Sequence, residues 1–286
     1  MVDYIKLSIT SESVAHYLRT NVCSLLNNVE HTTGDISNSV YVGTIGNEFK
    51  VEVFNSNRVQ LSGSLHKYYT QGTNAGDFTY SMVCEAVERL AGELGVHPNE
   101  LILHNLEIGV NLPLPYCPDN VLKNIVCTKN GCQFNIQSTS VRTCQKGEYK
   151  HKIYNKSAQY QIADKYILRY EIHIDKMRKI PPVKTLQDLT EMQNWFVFQR
   201  LLIFHFDEII FEDFYPFEKL PANDQNFIRK YYSKINNQRC WQKFKAKQRH
   251  DIFRQMVAFQ KKYGANRFSF YLHKLIEQKI AELRVL

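Results

Sequence analysis

Two strand-like runs, residues 104–111 and 168–174, constrain the fold most, because each carries an acidic residue among apolar ones. Side chains alternate between the two faces of a strand, so each run has an apolar side and a side bearing Glu107 or Glu171. Carboxylates are rarely buried in strands unless they pair with a cation or bind a metal. The pattern predicts a sheet with one face covered by helices and one open face that carries polar groups.

Hairpin and helix signals surround these runs. Strand-like segments at 39–45 and 49–55 flank a Gly-Asn pair, which is typical of a tight hairpin. Apolar residues at helical spacing predict helices over 12–26 and 79–94. Because helices, strands and hairpins alternate without a βαβ repeat, the predicted fold class is α+β, with a central, mostly antiparallel sheet and helices on one face.

The composition changes near residue 180, where a Pro-Pro pair interrupts regular structure. Beyond it the apolar spacing is helical to the C terminus, beginning with a helix over about 185–212. We therefore predict an α+β domain over residues 1–179, which holds the acidic strands, and an all-helical, basic domain over residues 183–286.

Basic residues concentrate between positions 229 and 262, with aromatic residues interleaved, in a chain of net charge +8. These two residue types supply phosphate contacts and base stacking. The alternative is a solvated helix face whose aromatic side chains lie in the core. So dense a run of one sign is unfavourable without a polyanion, which favours nucleic acid. The residues of this run assigned to DNA contact are Arg239, Lys243, Lys245, Lys247 and Arg249.

The cysteines and the most apolar window exclude some classes of protein. Seven cysteines are scattered without a CxxC pair, which predicts reduced thiols rather than a disulfide framework or zinc knuckle. The most apolar window, 195–211, is too short and too interrupted by charge for a membrane span. We expect a soluble cytoplasmic protein with no membrane partner.

The predicted open face offers a set of metal ligands. Glu107 and the pair Glu171 and His173 supply two carboxylates and an imidazole, which suit Mg²⁺ or Mn²⁺ better than a structural zinc ion. Such a cation can polarise a phosphodiester. The alternatives are that Glu171 forms an ordinary ion pair with Arg169, and that His173 is a solvated strand residue.

Tyr154 is the candidate nucleophile of this face. Lys152 and Lys156 share its parity along the strand, and a lysine can stabilise a phenolate or hold a phosphate. The chain has 17 tyrosines, so a packing role is the alternative. Other candidates near in sequence are Tyr160, Tyr166 and Tyr170.

Four segments, in this order, resemble those of the rolling-circle replication initiators of filamentous phages and, more distantly, of plasmids. They are GSLHKYYTQGTN (63–74), HNLEIGVN (104–111), HKIYNKSAQY (151–160) and LRYEIHI (168–174). In this resemblance, Glu107 matches the position of a metal-binding acidic residue of the family. Tyr154 and Lys156 match the positions of the tyrosine and the lysine in the family's tyrosine motif. The chain departs from the family pattern in having no His-hydrophobic-His motif, and in having Glu rather than Asp at position 107.

The resemblance implies a Rep-nuclease-like fold and an endonuclease that nicks one strand at an origin. The enzyme would stay linked to DNA as a 5′-phosphotyrosine, use Mg²⁺ or Mn²⁺, and rejoin the displaced circle in a bacterial host cytoplasm. Its partners would be single-stranded origin DNA and a host helicase or polymerase. Expected DNA contacts in the α+β domain are Lys67, Asn74, Lys152 and Arg169.

Two other functions remain open. One is a non-catalytic single-stranded DNA- or RNA-binding protein with an RRM-like sheet, which needs no metal. The other is an interaction protein whose basic helices bind an acidic partner. Paired acidic residues on the presumed binding face argue against the non-catalytic nucleic-acid-binding protein, because they repel phosphate unless a cation lies between them.

Overall fold

The computed structural model describes residues 1–29, 36–212, 217–236, 243–263 and 268–284. The fold is α+β and rich in antiparallel strand pairs, which confirms the predicted class. The chain forms two compact units. Unit 1 comprises Met1–Gly109, His173–Gln199 and Ile280–Leu286, and unit 2 comprises Val110–Ile172 and Arg200–Lys279. These segments interleave along the chain, whereas the sequence predicted two consecutive domains.

The strands and helices follow in the order expected of a meander with inserted helices. The strands are β1 (Val2–Thr10), β2 (Cys23–Val29), β3 (Ile36–Ile45), β4 (Phe49–Val53), β5 (Arg58–Ser64), β6 (Ile102–Leu114), β7 (Ile125–Thr128), β8 (Asn135–Ser138), β9 (Val141–Lys146), β10 (Tyr149–Asn155), β11 (Tyr166–Ile174) and β12 (Ile209–Phe211). The α-helices are α1 (Glu12–Asn21), α2 (Leu65–Thr70), α3 (Tyr80–Leu94), α4 (Asp119–Leu122), α5 (Lys156–Tyr160), α6 (Met192–Phe206), α7 (Ala222–Asn236), α8 (Ala246–Tyr263) and α9 (Phe268–Leu283).

Unit 1 contains strands in the order β2–β3–β4–β5–β1–β6. Strand β1 lies between β5 and β6, and Leu7 has Leu61 and Leu103 as its partners on the two sides. All three leucines are buried, as the alternating pattern requires. Helix α3 begins where predicted, because the Thr79 side chain accepts a hydrogen bond from the backbone N–H of Met82.

Unit 2 contains the end of β6 and then β11, β10, β9 and β8 in that order. Strands β9 and β10 form a hairpin in which Tyr154 pairs with Val141 and His151 pairs with Cys144. A separate two-stranded sheet joins β12 to β7. Its Cys127 and Ile210 belong to an apolar cluster that includes Leu220, Ile228 and Phe259.

Two predicted helices are shorter than expected. The helix predicted over 12–26 ends at Asn21, and Cys23–Val29 instead forms a strand paired with β3. The helix predicted over 185–212 spans only Met192–Phe206, and Ile209–Phe211 pairs with β7. The segment after residue 183 is therefore not all-helical. In both cases hydrogen bonding to a strand distant in sequence outweighs apolar residues at helical spacing.

The predictions made from the cysteines and from the apolar window can be compared with the described residues. Six cysteines lie in this part of the chain, and all six are free thiols. Within the described ranges, no helix combines the length and apolar character needed to cross a bilayer.

Candidate active site

A strand-to-helix junction in unit 2 positions Tyr154 and Lys156. Strand β10 ends at Asn155, whose side chain caps α5 by accepting a hydrogen bond from the Ala158 N–H at 3.0 Å. The Asn155 amide also donates to Asp119 Oδ1 at 3.1 Å. Tyr154 is therefore the last strand residue before the cap, and Lys156 is the first residue of the helix.

The phenol of Tyr154 makes hydrogen bonds to two charged groups. Its hydroxyl donates to Glu171 Oε1 at 2.8 Å, and Lys156 Nζ donates to the same hydroxyl oxygen at 3.2 Å. The sequence predicted that these three residues would come together, and the structure places them together within unit 2. A phenol held between a carboxylate and an ammonium has an acceptor for its proton and a cation beside its oxygen.

Two cations hold the Glu171 carboxylate. Arg169 Nε donates to Oε1 at 2.7 Å, and Lys152 Nζ lies 3.2 Å from Oε2. Burial alone would raise the pKa of Glu171, but the charges of Arg169 and Lys152 and the hydrogen bond from Tyr154 outweigh it and lower the pKa to about 2. Glu171 is therefore ionised at neutral pH.

The cluster is buried, which differs from the open face predicted from strand parity. Tyr154, Lys156, Arg169 and Glu171 are each at most 3% exposed. Lys152 is the member in contact with solvent, with 36% of its side chain exposed, and its Nζ lies 4.6 Å from the centre of the Tyr154 ring. The parity argument failed here because alternation predicts which side chains share a face, not whether that face is covered.

Arg169 also belongs to this buried network rather than to a free surface. Its Nη1 donates to Asn111 Oδ1 at 3.2 Å, and Asn111 is itself 6% exposed. Arg169 was expected to contact DNA. In the structure it neutralises Glu171 and fixes the rotamer of that carboxylate.

Unit 1 holds the other two predicted metal ligands. His173 Nδ1 lies 3.7 Å from Glu107 Oε2, and His173 Nε2 lies 3.4 Å from Asp175 Oδ1. A carboxylate oxygen of Asp3 lies within 4.8 Å of one of Glu107. Asp3 was not predicted, although it is an acidic residue inside a strand-like apolar run, the same signal that singled out Glu107.

The motif residues Lys67 and Asn74 have different environments in unit 1. Lys67 is half-buried on α2, whose first turn is capped by Ser64. Asn74 was expected to contact DNA, but it is 7% exposed and its amide donates to Asp3 Oδ2 at 2.7 Å. Asn74 therefore orients a carboxylate in this structure.

The basic run near the C terminus is partly described. Lys243, Lys245 and Lys247 are exposed at and before the start of α8. Arg249 is half-buried, and its Nη1 donates to the backbone carbonyl of Phe244 at 2.9 Å. Arg239 lies outside the described residues. The three lysines thus form an exposed basic segment in unit 2.

The alternative tyrosines differ from Tyr154 in their surroundings. Tyr170 is fully buried, with its hydroxyl 3.5 Å from His151 Nδ1. Tyr166 is 47% exposed at the start of β11. Tyr160 has the Lys156 ammonium 4.8 Å from its ring centre. Tyr154 is the one whose hydroxyl joins Lys156 to Glu171.

Comparison with known proteins yields one solved structure to report. No family model matches the chain, and no curated protein matches it. The rolling circle replication initiator protein from Geobacillus stearothermophilus aligns with a TM-score of 0.44 and 12% sequence identity, over 88% of this chain and 95% of that chain.

Proposed function

We propose that this chain is a replication initiator that nicks and rejoins single-stranded origin DNA through a covalent 5′-phosphotyrosine, as in rolling-circle replication. The observation that carries the proposal is the Tyr154 hydroxyl, which donates to Glu171 and accepts from Lys156. The four motif segments identified in the sequence support it, since all four buried residues of the cluster come from two of those segments: Tyr154 and Lys156 from 151–160, and Arg169 and Glu171 from 168–174.

The proposed step is an in-line exchange at phosphorus. The Tyr154 oxygen forms a bond to phosphorus as the bond to the 3′ oxygen of the preceding nucleotide breaks. The phenolic proton leaves along the hydrogen bond to Glu171 and passes on to water, and the departing 3′ oxygen takes a proton from water to become a hydroxyl, so the number of protons is conserved. Lys156 stabilises the negative charge on the phenolic oxygen. The reverse exchange rejoins the strand, because the phosphotyrosine bond conserves the energy of the broken phosphodiester.

Lys152 gives the substrate a route to this buried phenol. Its ammonium covers the Tyr154 ring and contacts Glu171, while over a third of its side chain is exposed. A DNA phosphate is a second anion, besides the Glu171 carboxylate, that the Lys152 ammonium can bind. Its movement toward DNA uncovers Tyr154 and places a charge-assisted contact on the phosphate.

The proposed divalent cation is Mg²⁺ or Mn²⁺. In unit 1, Glu107 has a carboxylate oxygen of Asp3 within 4.8 Å and His173 Nδ1 at 3.7 Å, and the two carboxylates are donors that a hard cation such as Mg²⁺ or Mn²⁺ prefers. Glu171, the third ligand predicted from sequence, has one oxygen, Oε2, that makes an ion pair but no hydrogen bond among the described residues. When bound, the cation would supply charge neutralisation at the phosphodiester.

The test uses labelled single-stranded origin DNA with the full chain and Mg²⁺ or Mn²⁺. We expect a covalent protein–DNA adduct, with the nucleotide on the tryptic peptide that contains Tyr154. Tyr154→Phe removes the nucleophile but keeps the ring, so it should abolish the adduct while retaining DNA binding. Tyr166→Phe, at an exposed tyrosine, is the matched control and should keep the adduct. An adduct of normal yield in Tyr154→Phe would refute the assignment.

The second candidate is a single-stranded DNA- or RNA-binding protein without catalysis. The burial of Tyr154 favours it, because a fully packed tyrosine is a common structural residue. It predicts salt-sensitive binding by the exposed lysines at and before the start of α8, and no adduct with either metal. The same assay therefore separates the two functions.

A further inference from the structure

Unit 2 contains a second group of titratable side chains that the nicking chemistry does not use. His151 on β10, His205 at the end of α6 and Glu208 just before β12 each present a ligand atom, and these atoms lie within 4.8 Å of one another. The two imidazole rings meet edge to face, with their centres 5.2 Å apart. Position 151 has the opposite parity to Tyr154 along β10, so this group lies on the other face of the strand.

Both histidines are buried, and their polar atoms are incompletely satisfied. His151 is 0% exposed and His205 is 3% exposed. Among the described residues, His151 Nε2 has no hydrogen-bond partner, and His205 Nδ1 has only a long contact of 3.4 Å with Glu208 Oε2. Buried polar atoms normally make well-formed hydrogen bonds, so these two imidazole nitrogens call for an explanation.

We propose that His151, His205 and Glu208 bind a zinc ion. Two imidazoles and one carboxylate are a common ligand set for zinc, with a water as fourth ligand, whereas the hard cations Mg²⁺ and Ca²⁺ prefer sites made wholly of oxygen. The ion would join strand β10 to the end of α6 and the start of β12.

The spacing of the ligand atoms fits that ion. His205 Nδ1 and Glu208 Oε2 are 3.4 Å apart. Two ligands on a tetrahedral zinc with bonds of about 2.0 Å lie roughly 3.3 Å apart. His151 needs only a side-chain adjustment, since its ligand atom is already within 4.8 Å of the others. Its Nδ1 lies 3.5 Å from the Tyr170 hydroxyl, the kind of outer contact that orients a ligating imidazole.

The protonation states agree with the geometry. Burial, with the nearby charges of His205 and Lys146, lowers the pKa of His151 to about 3, so its imidazole is neutral at pH 7. Burial would raise the pKa of Glu208, but hydrogen bonds from His205 and Lys146 outweigh it and lower the pKa to about 2. A neutral imidazole and an ionised carboxylate are the forms that bind metal.

Lys146 is the cation that zinc would displace. Its ammonium donates a hydrogen bond to Glu208 Oε2, the carboxylate oxygen nearest His205. The Lys146 side chain is 24% exposed, so it can turn toward solvent when a dication takes its place. A doubly charged ion bonded directly to the carboxylate outcompetes a lysine at that position.

The test measures metal content and ligand type in the full chain. The protein is stripped with a chelator, dialysed against Zn²⁺, and analysed by elemental mass spectrometry. We expect about one zinc per chain at this site and a higher thermal midpoint in Zn²⁺ than in chelator. His151→Gln and Glu208→Gln should each lose that ion and the thermal shift. The Co²⁺-loaded wild type should show the visible bands of a tetrahedral N/O site.

Three controls make the result specific. His273→Gln should keep the zinc, because His273 is half-buried and its acidic neighbours Asp207 and Glu277 are exposed, so it belongs to no buried group of ligands. Glu107→Gln should also keep it, which separates this ion from the proposed catalytic cation in unit 1. The Co²⁺ complex should lack a thiolate charge-transfer band, although Cys144 pairs with His151 across the hairpin.

Several outcomes would overturn the proposal. They are a wild-type chain that retains no zinc, a His151→Gln variant with unchanged zinc content, and a thiolate band that assigns the ion to cysteines. If His151→Gln does not fold, the zinc content of Glu208→Gln and the Co²⁺ spectrum of the wild type test the proposal instead. Glu208→Gln is the milder substitution, because 13% of the Glu208 side chain is exposed. None of these results depends on adduct formation at Tyr154, so the zinc site and the nicking function are tested independently.

Discussion

Replacing Glu171 with glutamine tests how the buried cluster is held together. The substitution keeps the size of the side chain and removes its negative charge, which leaves the buried Arg169 without its carboxylate partner while its contact with Asn111 Oδ1 is retained. Breaking a buried ion pair by removing one partner costs about 3–5 kcal/mol of unfolding free energy. We expect Glu171→Gln to lose an amount in that range at pH 7.

The pKa of Glu171 gives a second estimate of how much the ionised carboxylate stabilises the folded protein. The value falls from 4.5 to about 2 in the folded protein. At about 1.4 kcal/mol for each pH unit, that interval corresponds to about 3 kcal/mol. Because the folded pKa is lower than the unfolded one, this stability is present above pH 4.5 and is lost as the pH falls toward about 2. By pH 3 the wild type should have lost about 2 kcal/mol of it.

Urea unfolding of both proteins at pH 7 and pH 3 measures the effect. The difference in unfolding free energy between wild type and Glu171→Gln should narrow by about 2 kcal/mol at the lower pH, because glutamine does not titrate. Glu52→Gln is the matched control. Its ion pair with Lys50 is also short, at 2.6 Å, but 56% of the lysine side chain is exposed. Exposed pairs contribute about 1 kcal/mol or less. A Glu171→Gln cost no larger than that of Glu52→Gln, or a difference that does not change with pH, would refute the reasoning.

Two further predictions concern the backbone and the basic segment. Gly63→Ala should destabilise the chain by about 1–3 kcal/mol in urea unfolding, because a Cβ there would lie 2.3 Å from the Glu48 carbonyl oxygen. Gly92→Ala, in α3 with no described atom within 4 Å of the new Cβ, should instead stabilise it by about 0.4–1 kcal/mol. Replacing Lys243, Lys245 and Lys247 together with glutamine should lower the salt dependence of single-stranded DNA binding by a slope of about 2, measured by fluorescence anisotropy. An unchanged slope would exclude these lysines from phosphate contact, and Lys50→Gln should leave it unchanged.

Local signals in the sequence predicted much of the fold. The Gly-Asn pair at the β3–β4 turn is a case in which glycine is needed, since Gly46 and Asn47 both have φ of 58°. The Thr79 cap and the regular apolar stripe of α3 fixed that helix to within a residue of its observed start. These features depend on interactions within a few residues, which a single sequence contains.

Features that depend on distant partners were not predictable in the same way. Leu25 and Leu26 extend the apolar spacing of α1, yet both lie on β2 and are exposed, because β3 pairs with them through backbone hydrogen bonds. The strand character of Ile209–Phe211 likewise depends on β7. Strand parity identified the partners of Tyr154 but not their burial, and the role of Asp3 depends on where Asn74 comes to lie.

The composition of the buried cluster supports the chemistry proposed at Tyr154. A buried ion pair adds little net stability compared with apolar side chains of the same volume, because desolvation of the charges offsets their attraction. Stability alone therefore does not account for a lysine at 0% exposure, an arginine at 3% and a glutamate at 1% around one phenol. Apolar residues would fill the same space at lower cost in desolvation. A nucleophilic tyrosine, in contrast, needs a carboxylate to orient its proton and a cation beside its oxygen, and low exposure strengthens both interactions.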